Sequence, residues 1–207
     1  MSLKNTDSAK TESWNKPLVA AGAATLVVAV VVGSLYLTRG GKSVSTLAGE
    51  LQSSEAQTRH VAARQLAKAG AQAKDAVPQL TEALKASERT LRRNAAKTLA
   101  ELGIDAKPAT AALIDELADT DPDTRYYVVK ALSKVDIDQD HVRAVPGLIK
   151  TLKDENPKTR YYSAKCLKSI GPSASAAIPA LKVAINDADK DVKETATAAL
   201  KKITKTP

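Results

Sequence analysis

The words TRYYVVKAL (residues 124–132) and TRYYSAKCL (residues 159–167) decide the fold of this chain. The same phrase runs through TRHVAARQL (58–66), LRRNAAKTL (91–99) and VKETATAAL (192–200). Their closing residues Leu66, Leu99, Leu132, Leu167 and Leu200 fall 33, 33, 35 and 33 residues apart, and Leu47, Leu80, Leu113, Leu148 and Leu181 keep the same steps. A unit of that length cannot bury its own apolar face, so its copies have to stack.

Within a copy the apolar spacing is helical and breaks in the middle. In the third, Leu113 and Leu117 stand four apart; Asp121-Pro122 interrupts; then Val128, Ala131, Leu132 and Val135 return at i, i+3, i+4 and i+7. Asp before Pro supplies an N-cap and a preset first turn, and Asn156-Pro157 does the same one copy later. Each unit therefore reads as a short helix A, a tight turn and a longer helix B. The A helices open on AVPQL (76–80), AVPGL (144–148), AIPAL (177–181) and the degenerate ATAAL (109–113).

These words in phase over Ser43 to about Ile203 resemble the HEAT-repeat superfamily, in particular its short bacterial form shared with phycobilisome-lyase-like repeats. The resemblance implies an all-α solenoid of five HEAT-like helix pairs, over about 44–75, 76–108, 109–143, 144–176 and 177–204. It also implies that the A helices form a convex side and the B helices a concave one.

Two basic columns run along the B helices. Arg59, Arg92, Arg125, Arg160 and Lys193 form the first, with Glu55, Glu88, Asp121, Asn156 and Asp189 four residues earlier. A guanidinium at the start of helix B reaches acids at its own and adjacent turns, so this column reads as a structural ladder with Glu55, Glu88, Asp121 and Asp189, of the kind HEAT-like proteins carry. The second column is Arg64, Lys97, Lys130 and Lys165, with His60, Arg93, Tyr126 and Tyr161 one turn earlier on the same face. At 100° per residue, positions 126 and 130 point away from Val128 and Val135, so these eight residues are expected to be exposed and to receive an acidic or extended protein segment. Tyr127 and Tyr162 are expected to pack at the repeat boundary. Cys166 stands in the column of Ala131 and reads as a buried small residue.

Ahead of the repeats, Pro17 to Leu37 carries no charge over 21 residues. At about 1.5 Å per residue it spans a hydrocarbon core of about 30 Å, and a transmembrane anchor helix is expected over 17–38, between a segment 1–16 and a linker 39–43. Trp14 and Tyr36 suit the interfacial belts. The apolar run exceeds a signal-peptide core and no small-x-small cleavage site follows it. Lys4, Lys10 and Lys16 precede it and Arg39 and Lys42 follow, so the positive-inside bias favours a cytoplasmic N-terminus and repeats outside the cytoplasm, in the periplasm. Ala21, Thr25, Ala29 and Gly33 place small side chains on one stripe suited to a second helix.

The net charge is +8, and beyond Lys42 there remain 26 basic and 21 acidic residues, too balanced for a dedicated nucleic-acid binder. The only Trp is Trp14 and Phe is absent, so the aromatic groove of HEAT-like DNA glycosylases is not reproduced. No phosphate loop, Cys pair or Ser/His/Asp grouping appears, and His60 and His141 have no metal-ligand spacing. Asp136 to Asp140 opens like a calcium loop, yet His141 stands where Gly is required and Gly147 where the closing Glu belongs. Neither cofactor, metal, nucleic acid nor small-molecule substrate is expected. The expectation is a membrane-anchored scaffold that binds protein, an accessory or assembly subunit of a membrane complex rather than an enzyme. A bilin-lyase-like activity, implied by the resemblance, is the alternative, and nucleic-acid binding through the basic face ranks behind it.

Overall fold

The computed structural model describes residues 41–135 and 139–205. Among them the B helices are α2 (Ala56–Ala69), α4 (Arg89–Leu102), α6 (Pro122–Leu132), α8 (Pro157–Ile170) and α10 (Lys190–Thr204). The A helices are α1 (Val44–Glu50), α3 (Val77–Ala83), α5 (Thr110–Asp115), α7 (Val145–Thr151) and α9 (Ile178–Ala184). Each A helix packs on the B helix that follows it, and each B helix packs on the next, α2 on α4, α4 on α6, α6 on α8 and α8 on α10. The five expected pairs are thus all formed.

Local chemistry sets the helix starts. Asp121, Asn156 and Asp189 accept from the amides of Thr124, Lys158 and Val192 at 3.0, 2.9 and 3.1 Å. Pro122 and Pro157 follow in the first turn, where a missing N–H costs nothing. Pro78, Pro146 and Pro179 serve the A helices in the same way.

The chain does not pass from helix B to the next helix A through an ordinary loop. It tightens into 3-10 turns at Gly70–Ala76, Gly103–Ala109, Gln139–Ala144 and Gly171–Ala177. Gly70, Gly103 and Gly171 end their helices at φ of 55°, 62° and 71°, a region an L side chain enters only with strain. In copy three α6 stops at Leu132, and the two-residue insertion falls around 136–138, outside the described residues.

The core lies between the two helix layers. Leu47, Leu80, Leu113, Leu148 and Leu181 are at most 1% exposed, and Leu66, Leu99, Leu132 and Leu167 are fully buried. Leu200, in the last helix, is half-buried. Ala62, Ala95, Val128, Ser163 and Ala196 form one buried column of the B helices, and the Ser163 hydroxyl contacts that of Thr151 in α7 at 2.7 Å. Cys166 is buried, as its column suggests, and burial pushes its thiol up to about 12.

None of the helices among the described residues is long and apolar enough to cross a membrane. The anchor expected at 17–38, the segment 1–16 and the stripe Ala21, Thr25, Ala29 and Gly33 lie outside the described residues.

Candidate functional site

The first arginine column is a ladder, built on a different acid from the expected one. Arg160 donates from Nε and Nη2 to the two carboxylate oxygens of Asp187, both at 2.8 Å, while its Nη1 donates to the carbonyls of Asp154 and Glu155 at 2.9 and 3.1 Å. Arg92 repeats this on Asp119 at 2.6 and 3.2 Å with the carbonyls of Ala86 and Ser87. Arg125 donates to Asp154 at 2.6 Å and to the carbonyls of Asp119 and Thr120. Each guanidinium clamps its own A–B turn and reaches the turn of the next copy.

The acid partners Asp119, Asp154 and Asp187 sit two residues before the N-caps. Their other duty explains why: Asp119, Asp154 and Asp187 accept from the amides of Asp121, Asn156 and Asp189 at 2.7, 3.0 and 2.9 Å, which shapes the turn. The expected partners Asp121 and Asp189 are instead spent on capping α6 and α10, and Asp121 lies 3.9 Å from Arg89. Glu55 accepts from the Thr58 hydroxyl. Glu88 is the one expected acid that joins the ladder, pairing with Arg59, because Ala86 fills the column where the later copies carry Asp. Lys193 makes no side-chain hydrogen bond or ion pair among the described residues. The charges respond accordingly. The Arg160 fork, together with the Asp189 amide, holds Asp187 below the usual carboxylate range against the pull of burial. Burial alone would raise Asp119, and the Arg92 bond and the Asp121 amide outweigh it. Arg92 and Arg160 are raised in turn, first by these carboxylates.

The second column divides. Arg64 and Lys97 are exposed, as expected, and form no ion pair among the described residues. His60, Arg93, Tyr126, Lys130, Tyr161 and Lys165 are half-buried, which corrects the expectation of exposure for these six. The reason is contact across copies. Lys130 folds back 3.0 Å from Glu101 of the preceding B helix, and Arg93 reaches 3.1 Å forward to Asp123. The Lys130 bond draws Glu101 below its ordinary value.

The tyrosines form a continuous cluster. Ring centroids are 4.9 Å apart for Tyr126 and Tyr127, 6.1 Å for Tyr126 and Tyr162, and 5.0 Å for Tyr161 and Tyr162. Tyr127 and Tyr162 lean on the core, as expected for the repeat boundary. The Lys130 ammonium lies 6.0 Å from the Tyr126 ring centre and the Lys165 ammonium 5.9 Å from that of Tyr162. Beside the cluster opens a cleft of about 420 Å³, lined by Tyr126, Tyr161 and Tyr162 together with Pro157, Lys158, Asp189 and Asp191. Lys158 and Asp191 carry no signal of their own in the sequence. Both stand one turn before Tyr161 and Glu194 in their own B helices, a column of mixed composition with no pattern to draw attention to it.

The face thus carries exposed Arg64 and Lys97 over copies one and two, the rings in the middle, and Asp189 and Asp191 beside Lys158 at the cleft. Among the described residues no group of three or more His, Cys, Asp or Glu is placed to hold a metal ion.

No curated protein matches the chain. Solved structures similar to it include an engineered protein, at TM-score 0.67 and 23% identity over 77% of this chain and 78% of that one. A designed armadillo repeat protein in complex with the peptide (KR)4 follows the same path at TM-score 0.67 and 16% identity, over 78% and 82%. The complex of CpcE and CpcF of phycocyanin lyase from Nostoc sp. PCC7120 aligns at TM-score 0.62 and 26% identity, over 84% of this chain and 70% of that one. The description HEAT repeats fits residues 44–113 and 110–201, so that the leucine columns and the arginine ladder fall within the match. The chain belongs to the HEAT-repeat family.

Proposed function

We propose that this protein is a membrane-anchored scaffold whose B face binds a segment of another protein, as an accessory or assembly subunit of a membrane complex and without catalytic activity of its own. The tyrosine cluster and its cleft carry this reading. Four rings gathered at one place on a helical surface, flanked by charged side chains, have the composition of an interface anchor. The apolar stretch 17–37 supports the anchor, and the lysines before it support repeats on the far side of the membrane from the cytoplasm. A linker of only a few residues would keep the repeats near the bilayer.

The test is co-purification of the intact chain in mild detergent with proteins from its own membranes. Wild type is compared with a Tyr126→Ala/Tyr161→Ala variant and with Lys182→Ala on α9 as a control. A partner recovered with wild type and Lys182→Ala, and lost with the double variant, is expected. Recovery indifferent to the tyrosines would overturn the assignment of the face.

A bilin-lyase-like role is the second reading, motivated by the likeness to the phycocyanin lyase complex. It requires visible absorbance to develop when the protein is mixed with a bilin, and no change would dismiss it.

A further inference from the structure

The cleft beside the tyrosines carries more carboxylates than ammonium groups, unlike the B face of copies one and two, where Arg64 and Lys97 are exposed. It is formed where α6 and α8 present their rings to the start of α10. Tyr126, Tyr161, Tyr162 and Pro157 supply its apolar lining, and its charged groups are two carboxylates, Asp189 and Asp191, against the single ammonium of Lys158. Asp189 uses Oδ1 to cap α10 and leaves Oδ2 without a hydrogen bond; Asp191 makes none with its side chain among the described residues. Lys158 is exposed on a flexible stem.

The rings already attract cations within the fold. Lys130 lies over Tyr126 and Lys165 over Tyr162, whereas Tyr161 meets only the edge of Tyr162 and carries no lysine of its own. A vacant ring next to free carboxylate oxygens is the combination that favours a guanidinium, which stacks on the one and donates to the other. A carboxylate guest would instead meet two like charges. The volume of about 420 Å³ lies within the range of about 300–1,000 Å³ typical of small-ligand pockets.

We infer that this cleft receives an arginine or lysine side chain of the docked protein segment, and that the segment is therefore basic where it crosses copies four and five. The inference rests on the protein-binding reading above and gives it a polarity. At the other end of the face Arg64 and Lys97 are exposed and unpaired among the described residues, so the same segment is acidic where it crosses copies one and two.

The test uses the intact chain in neutral detergent and two fluorescent hexapeptides, acetyl-(Gly-Arg)3-amide and acetyl-(Gly-Glu)3-amide, with binding followed by anisotropy. The arginine peptide is expected to bind despite the net charge of +8. Asp191→Lys and Tyr161→Ala should each weaken it at least tenfold, about 1.4 kcal/mol, with Asp191→Asn intermediate and Asp75→Lys without effect. The helical circular dichroism of each variant checks that the fold is kept. Failure of the arginine peptide to bind wild type, or binding indifferent to both substitutions, overturns the inference. If only the glutamate peptide binds and Lys97→Glu abolishes it, the cleft is misassigned while the protein-binding face stands. If neither peptide binds and the partner is recovered equally with the tyrosine double variant, both readings fall.

Discussion

Replacing Arg160 by Ala removes one rung of the ladder and measures what holds copy five to copy four. The guanidinium makes four hydrogen bonds, two at 2.8 Å to Asp187 and two to the carbonyls of Asp154 and Glu155. The side chains of the pair are 17% and 11% exposed, so this is neither a solvated surface pair nor a fully dry one. Exposed pairs contribute about 0–1 kcal/mol, and breaking a buried one costs about 3–5 kcal/mol. The geometry places Arg160→Ala between them, at about 2–3 kcal/mol. At about 2–4 °C per kcal/mol for a chain of this size, the melting temperature should fall by about 4–12 °C. Asp187→Asn keeps the oxygen that accepts from the Asp189 amide and should cost less, about 1–2 kcal/mol. A double-mutant cycle between the two sites should show coupling of about 1–2 kcal/mol, up to the whole cost of Asp187→Asn. Because copies in a stack touch only their neighbours, the loss should be local: amide exchange should accelerate in α9 and α10 and remain unchanged in α1 to α4. A change below about 0.5 kcal/mol, or one spread evenly over all helices, would refute the ladder as the element that joins the copies.

Gly147→Ala should destabilise the protein by about 1–3 kcal/mol despite the better helix propensity of alanine, since its Cβ would lie 2.7 and 2.9 Å from Cδ1 and Cβ of Leu117; urea unfolding checks this. Cys166, with its thiol pushed up to about 12 and fully buried, should resist a maleimide in the native protein and react once urea unfolds it; labelling at neutral pH without denaturant would contradict the packing. Asp119 and Asp187 are held below the ordinary carboxylate value, so the stability they contribute is complete above about pH 4 and is lost as pH falls through their lower native values. Thermal melts should show this acid loss in wild type and a smaller one in Asp187→Asn. Glu116, raised first by burial and then by Asp119, works in the opposite sense, so Glu116→Gln should raise the melting temperature at pH 7 and leave it nearly unchanged at pH 3.

The stacked helix pairs were legible because burial imposes a period: Leu80, Leu113 and Leu148 are buried for the same reason in every copy, and that regularity is written in the spacing. Interactions between copies left a fainter trace. The Asp119, Asp154 and Asp187 column is visible in the phrases DTDP, DENP and DADK, but the N-cap residue two places on carries the same chemistry and drew the assignment to itself. Only the geometry separates the oxygen that caps a helix from the one that meets a guanidinium. The 3-10 turns do leave a trace, since Gly70, Gly103 and Gly171 are each followed by buried alanines three and six residues on (Ala73 and Ala76, Ala106 and Ala109, Ala174 and Ala177), but small residues at a spacing of three do not by themselves separate a 3-10 turn from a loop. On the B face, a helical-wheel angle places Lys130 in solvent; it cannot report that Glu101, 29 positions away, draws the side chain down. The acidic sign of the cleft was hidden for a similar reason, since its rings come from α6 and α8 and its carboxylates from the start of α10.

The central claim is that the tyrosine face is where a partner docks. A photoreactive phenylalanine analogue at position 161, with position 182 on α9 as the control, tests it in membranes that contain the intact chain. Irradiation should yield a discrete cross-linked protein from position 161 that is absent from position 182 and is competed by the arginine hexapeptide. Cross-links of equal yield from both positions, or from 182 alone, would contradict the account.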